Sequence, residues 1–153
     1  IMGGTALAEG IGEKLSPLPS PPKASLLIVK PPIMVPTQWV YEQLRLDRLE
    51  KHPDIDGMIR ALGSGDLKGI TDCMENVMET VTEKEYPIIT EIKNMMIEKG
   101  AMNALMSGSG PSVFGVYQEE GAAQEAAVFI GRALRAKGIM AQPNVTEFYN
   151  MDS

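Results

Sequence analysis

The chain is 153 residues long, 44% hydrophobic and 22% charged, with a formal net charge of −6. That length supports one domain with a sizeable core, residues 1–153, and is too short to expect two. The acidic balance excludes a nucleic-acid partner or an anionic membrane surface, and no apolar run is long enough for a membrane span.

The chain opens Ile1-Met2-Gly3-Gly4 and runs straight into Thr5-Ala6-Leu7-Ala8, which reads as a cut inside a larger protein. Gly3 to Leu15 alternates small apolar residues with Gly and Glu, the pattern of a bent strand pair or a strand plus turn. Glu9 and Glu13 read as solvated strand charges rather than an acid–base pair, because no helix sets their spacing. Ser16 to Lys23 (S-P-L-P-S-P-P-K) is expected to be an irregular surface connection, since proline removes donors and fixes φ. Ala24 to Lys30 is a continuous apolar run, a buried strand that Pro31-Pro32 ends. Pro36 to Leu46 reads as a short helix with Thr37 near its start and Trp39, Val40, Tyr41 and Leu44 on its apolar face. Core packing is the preferred account of Trp39.

His52-Pro53-Asp54 breaks the chain and starts the next helix. His52 has no acidic or thiol partner at a ligand spacing, so no metal role is expected for it. Ile55, Met58, Ile59 and Leu62 recur at helical spacing, and Gly63 and Gly65 are expected to end that helix. Asp66 is placed to cap the next one, whose stripe runs Leu67, Ile70, Cys73/Met74, Val77 and Val81. Cys73, the single cysteine, excludes an internal disulfide and fits a reducing, cytoplasmic setting; on this stripe it reads as buried packing rather than a reactive thiol. Pro87 opens a third helix with Ile88, Ile89, Ile92, Met95 and Met96 inward and Gly100 just past its end. Most methionines lie on these stripes, where adaptable core packing accounts for them.

The densest signal is Leu105 to Tyr117, L-M-S-G-S-G-P-S-V-F-G-V-Y. Its centre, Ser107-Gly108-Ser109-Gly110-Pro111-Ser112, is small and polar, while Val113 to Tyr117 is strand-like. Gly108 and Gly110 permit positive φ and close approach of a ligand. Amides in such a turn can converge on an anion, and the serine hydroxyls add donors. The functional reading is a loop that wraps phosphate or a phosphorylated substrate; the plain alternative is a tight turn between two sheet elements. It is not a Walker loop, because no G-K-[ST] follows and a strand comes next. A helix then runs from Glu119-Glu120-Gly121 to Lys137 with Ala126, Phe129, Ile130, Ala133 and Leu134 as its stripe, Gly138 lies past its end, and Asn144 to Tyr149 is the last strand. Few strands and a central run of helices predict an α+β domain: a small antiparallel sheet, helices on one face, and a helical insertion from His52 to Gly100.

The string A-L-M-S-G-S-G-P-S-V-F resembles the third glycine-rich motif of the GHMP kinases, which include galactokinase and the homoserine, mevalonate and phosphomevalonate kinases. The strings G-G-T-A-L-A-E-G-I-G-E-K-L and V-K-P-P-I-M-V-P-T-Q-W-V-Y are similar to the branch that phosphorylates a cytidine-diphosphate-linked methylerythritol in non-mevalonate isoprenoid biosynthesis. The likeness runs from Ile1 almost to the end and covers the C-terminal half of such an enzyme. It implies a ferredoxin-like C-terminal domain that closes one side of a cleft. It also implies an ATP-dependent transfer to the substrate's 2-hydroxyl, with ATP and Mg2+ used by the complete enzyme and neither held tightly by this chain alone. The partner implied is an N-terminal ATP-binding domain of the same polypeptide, carrying the main ATP loop and the catalytic Asp and Lys. No catalytic residue or metal ligand is therefore assigned here, and the isolated chain is expected to be inactive. Thr37 and Tyr41 match positions that line the cytidine pocket, one as a polar contact and the other as a stacking ring. Ser107, Gly108, Ser109, Gly110 and Ser112 match the phosphate-side loop; Ser112 stands where the motif often carries Thr, which keeps the hydroxyl. Two other readings stay open: a free-standing ferredoxin-like module for a small anion, and a subunit completed by a separate chain that docks on a Met-rich surface.

Overall fold

The computed structural model describes residues 3–44, 49 and 52–149. The first element is a ribbon in which β1 (Thr5–Glu9) pairs antiparallel with β2 (Lys14–Leu18). Its turn uses Gly10 and Gly12 at φ +68° and +96°, and the Glu13 carboxylate accepts the Ile11 amide at 2.7 Å. The start of the proline-rich stretch is thus not irregular: Ser16, Pro17 and Leu18 belong to β2, with Pro17 opposite Ala6. In a two-stranded ribbon each strand has an outer edge, where a missing N–H costs no ladder bond.

The second sheet orders its strands β4 (Asn103–Met106), β5 (Val113–Tyr117), β3 (Ser25–Val29) and β6 (Asn144–Glu147), every neighbouring pair antiparallel. With α5 (Ile88–Glu98) before β4 and α6 (Glu120–Ala136) between β5 and β6, this is the βαββαβ plan of a ferredoxin-like fold. Side chains alternate across a strand, so Leu27 and Val29 of β3 share a face with Val113, Gly115 and Tyr117 of β5. That face meets Ile89, Ile92 and Met96 of α5 and Ala126, Ile130 and Leu134 of α6 in one buried cluster. Each large apolar side chain fully removed from water there contributes about 1.5–3 kcal/mol. A Cβ at Gly115 would stand 3.0 Å from the Met96 sulfur and 3.2 Å from the Tyr117 ring, so α5 presses directly on the strand.

Before α5 the chain makes four shorter helices: α1 (Thr37–Gln43), α2 (Ile55–Ser64), α3 (Leu67–Asp72) and α4 (Glu79–Glu85). Asp54 caps α2 by accepting the Gly57 amide at 2.8 Å, and Gly65 closes it in the left-handed conformation, while Gly63 stays inside the helix. Asp66 occupies the cap position of α3 without a side-chain capping bond. The stripe expected as one helix from Leu67 to Val81 is two, and residues 73–78 between them are not helical. Cys73, at the end of α3, is half-buried. On α6 the buried stripe is Ala123, Ala126, Ile130 and Leu134. Phe129 lies outside it, 37% exposed, with the Lys99 ammonium 4.0 Å from its ring centre. Leu46, expected in the first helix, lies outside the described residues. Among those described, no helix is long and apolar enough to cross a membrane.

Candidate substrate and phosphate site

The loop 107–112 joins β4 to β5 just beyond the Met106–Val113 pair. It is tied across its base by the Ser107 amide donating to the Ser112 carbonyl at 2.8 Å, and turned by the Gly110 amide donating to the Ser107 carbonyl at 3.0 Å. Gly108 and Gly110 take φ +57° and +88°, while Ser109 between them has a negative φ. With the Ser107 and Gly110 amides taken inside the loop and Pro111 lacking one, the Gly108, Ser109 and Ser112 amides are left without a protein acceptor among the described residues. A Cβ on Gly110 would come within 2.9 Å of the buried Met106 sulfur. Glycine is therefore required there by space as well as by φ.

Thr37, the first residue of α1, reaches this loop: its hydroxyl and that of Ser109 are hydrogen-bonded at 2.9 Å. The fold thus brings together residues 72 positions apart that the sequence offered as separate candidates. Tyr41 lies one helical turn from Thr37 on the same side of α1 and is 60% exposed, so its ring packs in no core. The helix is anchored instead by Val40, fully buried, and by half-buried Trp39, whose ring meets Tyr86 edge-on at 6.4 Å.

Behind the loop lies a second layer that the sequence reading missed. Asn76, in the gap between α3 and α4, donates its amide to the carbonyls of Met106 (2.8 Å) and Gly108 (2.7 Å). The buried Thr82 hydroxyl donates to the Ser109 carbonyl at 3.4 Å. Glu79 accepts the Met106 amide at 2.6 Å and pairs with Lys93 at 2.7 Å, and Lys93 also pairs with Glu83 at 2.7 Å. Burial pulls the Lys93 pKa down, but hydrogen bonds and charge from Glu79 and Glu83 outweigh it and leave the group above its ordinary value. One signal for this layer was present. Asn is a poor mid-helix residue that competes for backbone partners, so Asn76 inside an apolar stripe marks a break.

The family described as "GHMP kinases C terminal" matches residues 58–136, which carry every one of these supports and the whole loop. The chain belongs to the GHMP kinase C-terminal domain family.

This GHMP kinase domain has close curated relatives. A protein of Lachnoclostridium phytofermentans is 51% identical over 126 residues, covering 82% of this chain and 43% of the relative. One of Lachnospira eligens is 48% identical over 149 residues, covering 97% and 50%. Both are named 4-diphosphocytidyl-2-C-methyl-D-erythritol kinase. The chain spans about half the length of the curated relatives it matches. A solved 4-(cytidine 5'-diphospho)-2C-methyl-D-erythritol kinase superposes with a TM-score of 0.73 at 28% identity, over 95% of this chain and 50% of that one. A homoserine kinase from Cytophaga hutchinsonii superposes with a TM-score of 0.78 at 22% identity, over 95% and 49%, and shares the fold.

The hydroxyls and amides at the loop of this GHMP kinase domain suit phosphate oxygens, which accept hydrogen bonds. Backbone amides offer nothing to Mg2+, and the loop 107–112 contains no carboxylate, the usual protein anchor for that ion. Among the described residues no group of three or more His, Cys, Asp or Glu is placed to hold a metal ion. Thr37, Ser107, Ser109 and Ser112 can position and stabilise charge, but a hydroxyl with no adjacent base does not take up a proton at neutral pH.

Proposed function

We propose that this chain is the substrate- and phosphate-side half of an ATP-dependent kinase acting on the 2-hydroxyl of 4-diphosphocytidyl-2-C-methyl-D-erythritol in isoprenoid biosynthesis. The observation that carries the reading is the Thr37–Ser109 contact, which unites the α1 segment and the glycine-rich loop in one site. A ligand seated there meets an exposed aromatic ring at one end and a ring of phosphate donors at the other. The names of the relatives support that choice of substrate.

In this reading Tyr41 stacks on the cytosine and the Thr37 hydroxyl gives a polar contact beside it. The Gly108, Ser109 and Ser112 amides and the serine hydroxyls of the loop stabilise charge on the phosphoryl oxygens, where positioning and electrostatics supply most of the catalysis. The proton acceptor, the main ATP cradle and the Mg2+ site belong to an N-terminal half of the same polypeptide. That enzyme would work in the cytoplasm. Joined to that half, the protein should form ADP only when the cytidylylated substrate is present. Residues 1–153 alone should form none, and substrate-dependent ADP from the purified chain would overturn the assignment of roles. A complete protein that phosphorylates homoserine or mevalonate in preference would overturn the choice of substrate.

A further inference from the structure

We propose that Asn76 is a positioning residue for phosphoryl transfer, setting the direction in which the loop 107–112 presents its amides. This rests on the kinase reading above and assigns a task within the same site. A trans peptide is planar, and its C=O and N–H point in opposite directions. The Gly108 carbonyl shares its peptide unit with the Ser109 amide. By drawing the Gly108 carbonyl to itself at 2.7 Å, Asn76 turns the Ser109 amide the other way, out of the support layer. No backbone or side-chain acceptor among the described residues takes that amide, which leaves it to an incoming anion. The Met106 carbonyl, at the entrance to the loop, is held by the same nitrogen at 2.8 Å. Carbonyls left free to swing outward would instead face the phosphate with like-signed partial charge.

The orientation of the Asn76 amide is fixed by its partners. The Met78 amide donates to its oxygen at 3.0 Å, so the end that meets two carbonyls is the nitrogen, as two acceptors require. This also accounts for the interrupted helix. With residues 73–78 out of helical form, Asn76 can bond Met78, the residue just ahead of α4, through its oxygen and the loop through its nitrogen.

The test uses the complete enzyme and two variants. Asn76→Asp keeps an acceptor for the Met78 amide but sets carboxylate oxygens against the two carbonyls; Asn76→Ala removes the group without adding charge. In each, kcat should fall between about tenfold and a hundredfold, as expected for a small misplacement of a transition-state contact, with KM for the cytidylylated substrate unchanged. Amide hydrogen exchange of the ligand-free enzyme should quicken across 107–112 while β4, β5 and β3 keep their protection. A wild-type kcat in both variants, or a fall accompanied by lost protection across the whole sheet, overturns the inference. Turnover by the wild-type enzyme with unimpaired Asn76 variants removes only this role. No turnover by the wild-type enzyme removes the kinase reading, and this role with it.

Discussion

Val113 and Ser112 are adjacent in sequence, yet they stand in regions held together by different physics. Val113 enters a cluster with Ile89, Ile92, Met96 and Tyr117, where each side chain touches several others and water is excluded. Ser112 closes a loop fixed by a handful of polar contacts from Asn76, Thr82 and Thr37, none of them close to it in the chain. Packing is redundant, so losing one contact lowers stability without redirecting the backbone. A polar brace is not redundant, so losing one donor leaves the fold standing and the loop misdirected. Substitutions taken across the two regions should therefore move from large effects on stability to none, as their effect on ligand binding or turnover grows.

The largest stability loss should come from the centre of the core. Ile92 is fully buried between α5 and the sheet. Ile92→Ala removes buried methyl groups and leaves a cavity, at a cost of about 2–5 kcal/mol in urea unfolding. Turnover of the complete enzyme, measured well below its melting temperature, should stay close to wild type. A large turnover loss in the folded variant would show that core and loop are not separable.

Next comes Tyr117, buried under α5 with its hydroxyl donating to the Met96 carbonyl at 3.2 Å. Burial pushes its pKa from 10.0 up to about 12. A folded-state pKa above the unfolded value means that the native state keeps the proton longer. Its stabilising effect is complete below pH 10 and is lost as pH rises to about 12. Two units correspond to about 3 kcal/mol, so Tyr117→Phe should flatten that much of the alkaline fall in stability. Lys93, also raised from its ordinary 10.5, should leave a residual slope in the variant as pH rises above 10.5. An unchanged pH–stability curve in Tyr117→Phe would mean that the hydroxyl is not sealed in the core.

The same division explains what the sequence let a reader see. The core was legible where burial writes a period: the α5 stripe, the β3 run and the Val113–Tyr117 strand follow from it, whereas on α2 only Leu62 of the expected stripe is buried, beside Gly57 and Ala61, and Ile55 is 46% exposed. On α6 the expected stripe holds at Ala126, Ile130 and Leu134, but the small Ala123 packs closely where the large Phe129 does not, a choice that side-chain size hides from the sequence. Pro17 concealed a strand because its penalty applies only where a ladder bond is needed. At the site, the loop and Thr37 were visible as residue types, but their contact spans 72 positions and leaves no local trace. Asn76 showed only as a poor helix former within a hydrophobic repeat, and its partners 30 and 32 positions away left no local trace.

Gly110 lies at the border between the two regions. Its φ of +88° and the Met106 sulfur beneath it make any Cβ costly. Gly110→Ala should lower stability by about 1–2 kcal/mol, the usual cost of left-handed backbone for a residue with a side chain. In the complete enzyme kcat/KM should fall by more than that loss of stability accounts for, because a methyl would also disturb the amides around the phosphate. If turnover instead tracks the fraction folded, residues 107–112 are a structural turn and the phosphate assignment is wrong.

Tyr41 is the opposite extreme from Ile92. At 60% exposed it contributes almost nothing to the core, and Tyr41→Ala should alter stability by no more than about 0.5 kcal/mol. If its ring is a platform for cytosine, the same substitution should weaken binding of the cytidylylated substrate to the complete enzyme by about 1–3 kcal/mol. Tyr41→Phe separates the ring from its hydroxyl and should retain most of the affinity, since the π-face is unchanged. Calorimetric titration of the three proteins decides the matter, because a folded variant with a weakened Kd cannot be explained by packing. Equal affinity in all three would leave Tyr41 a surface residue and would confine the substrate contacts of α1 to Thr37. The site would then be defined by the polar brace alone, and the cytidine end would have to be sought on the other half of the enzyme.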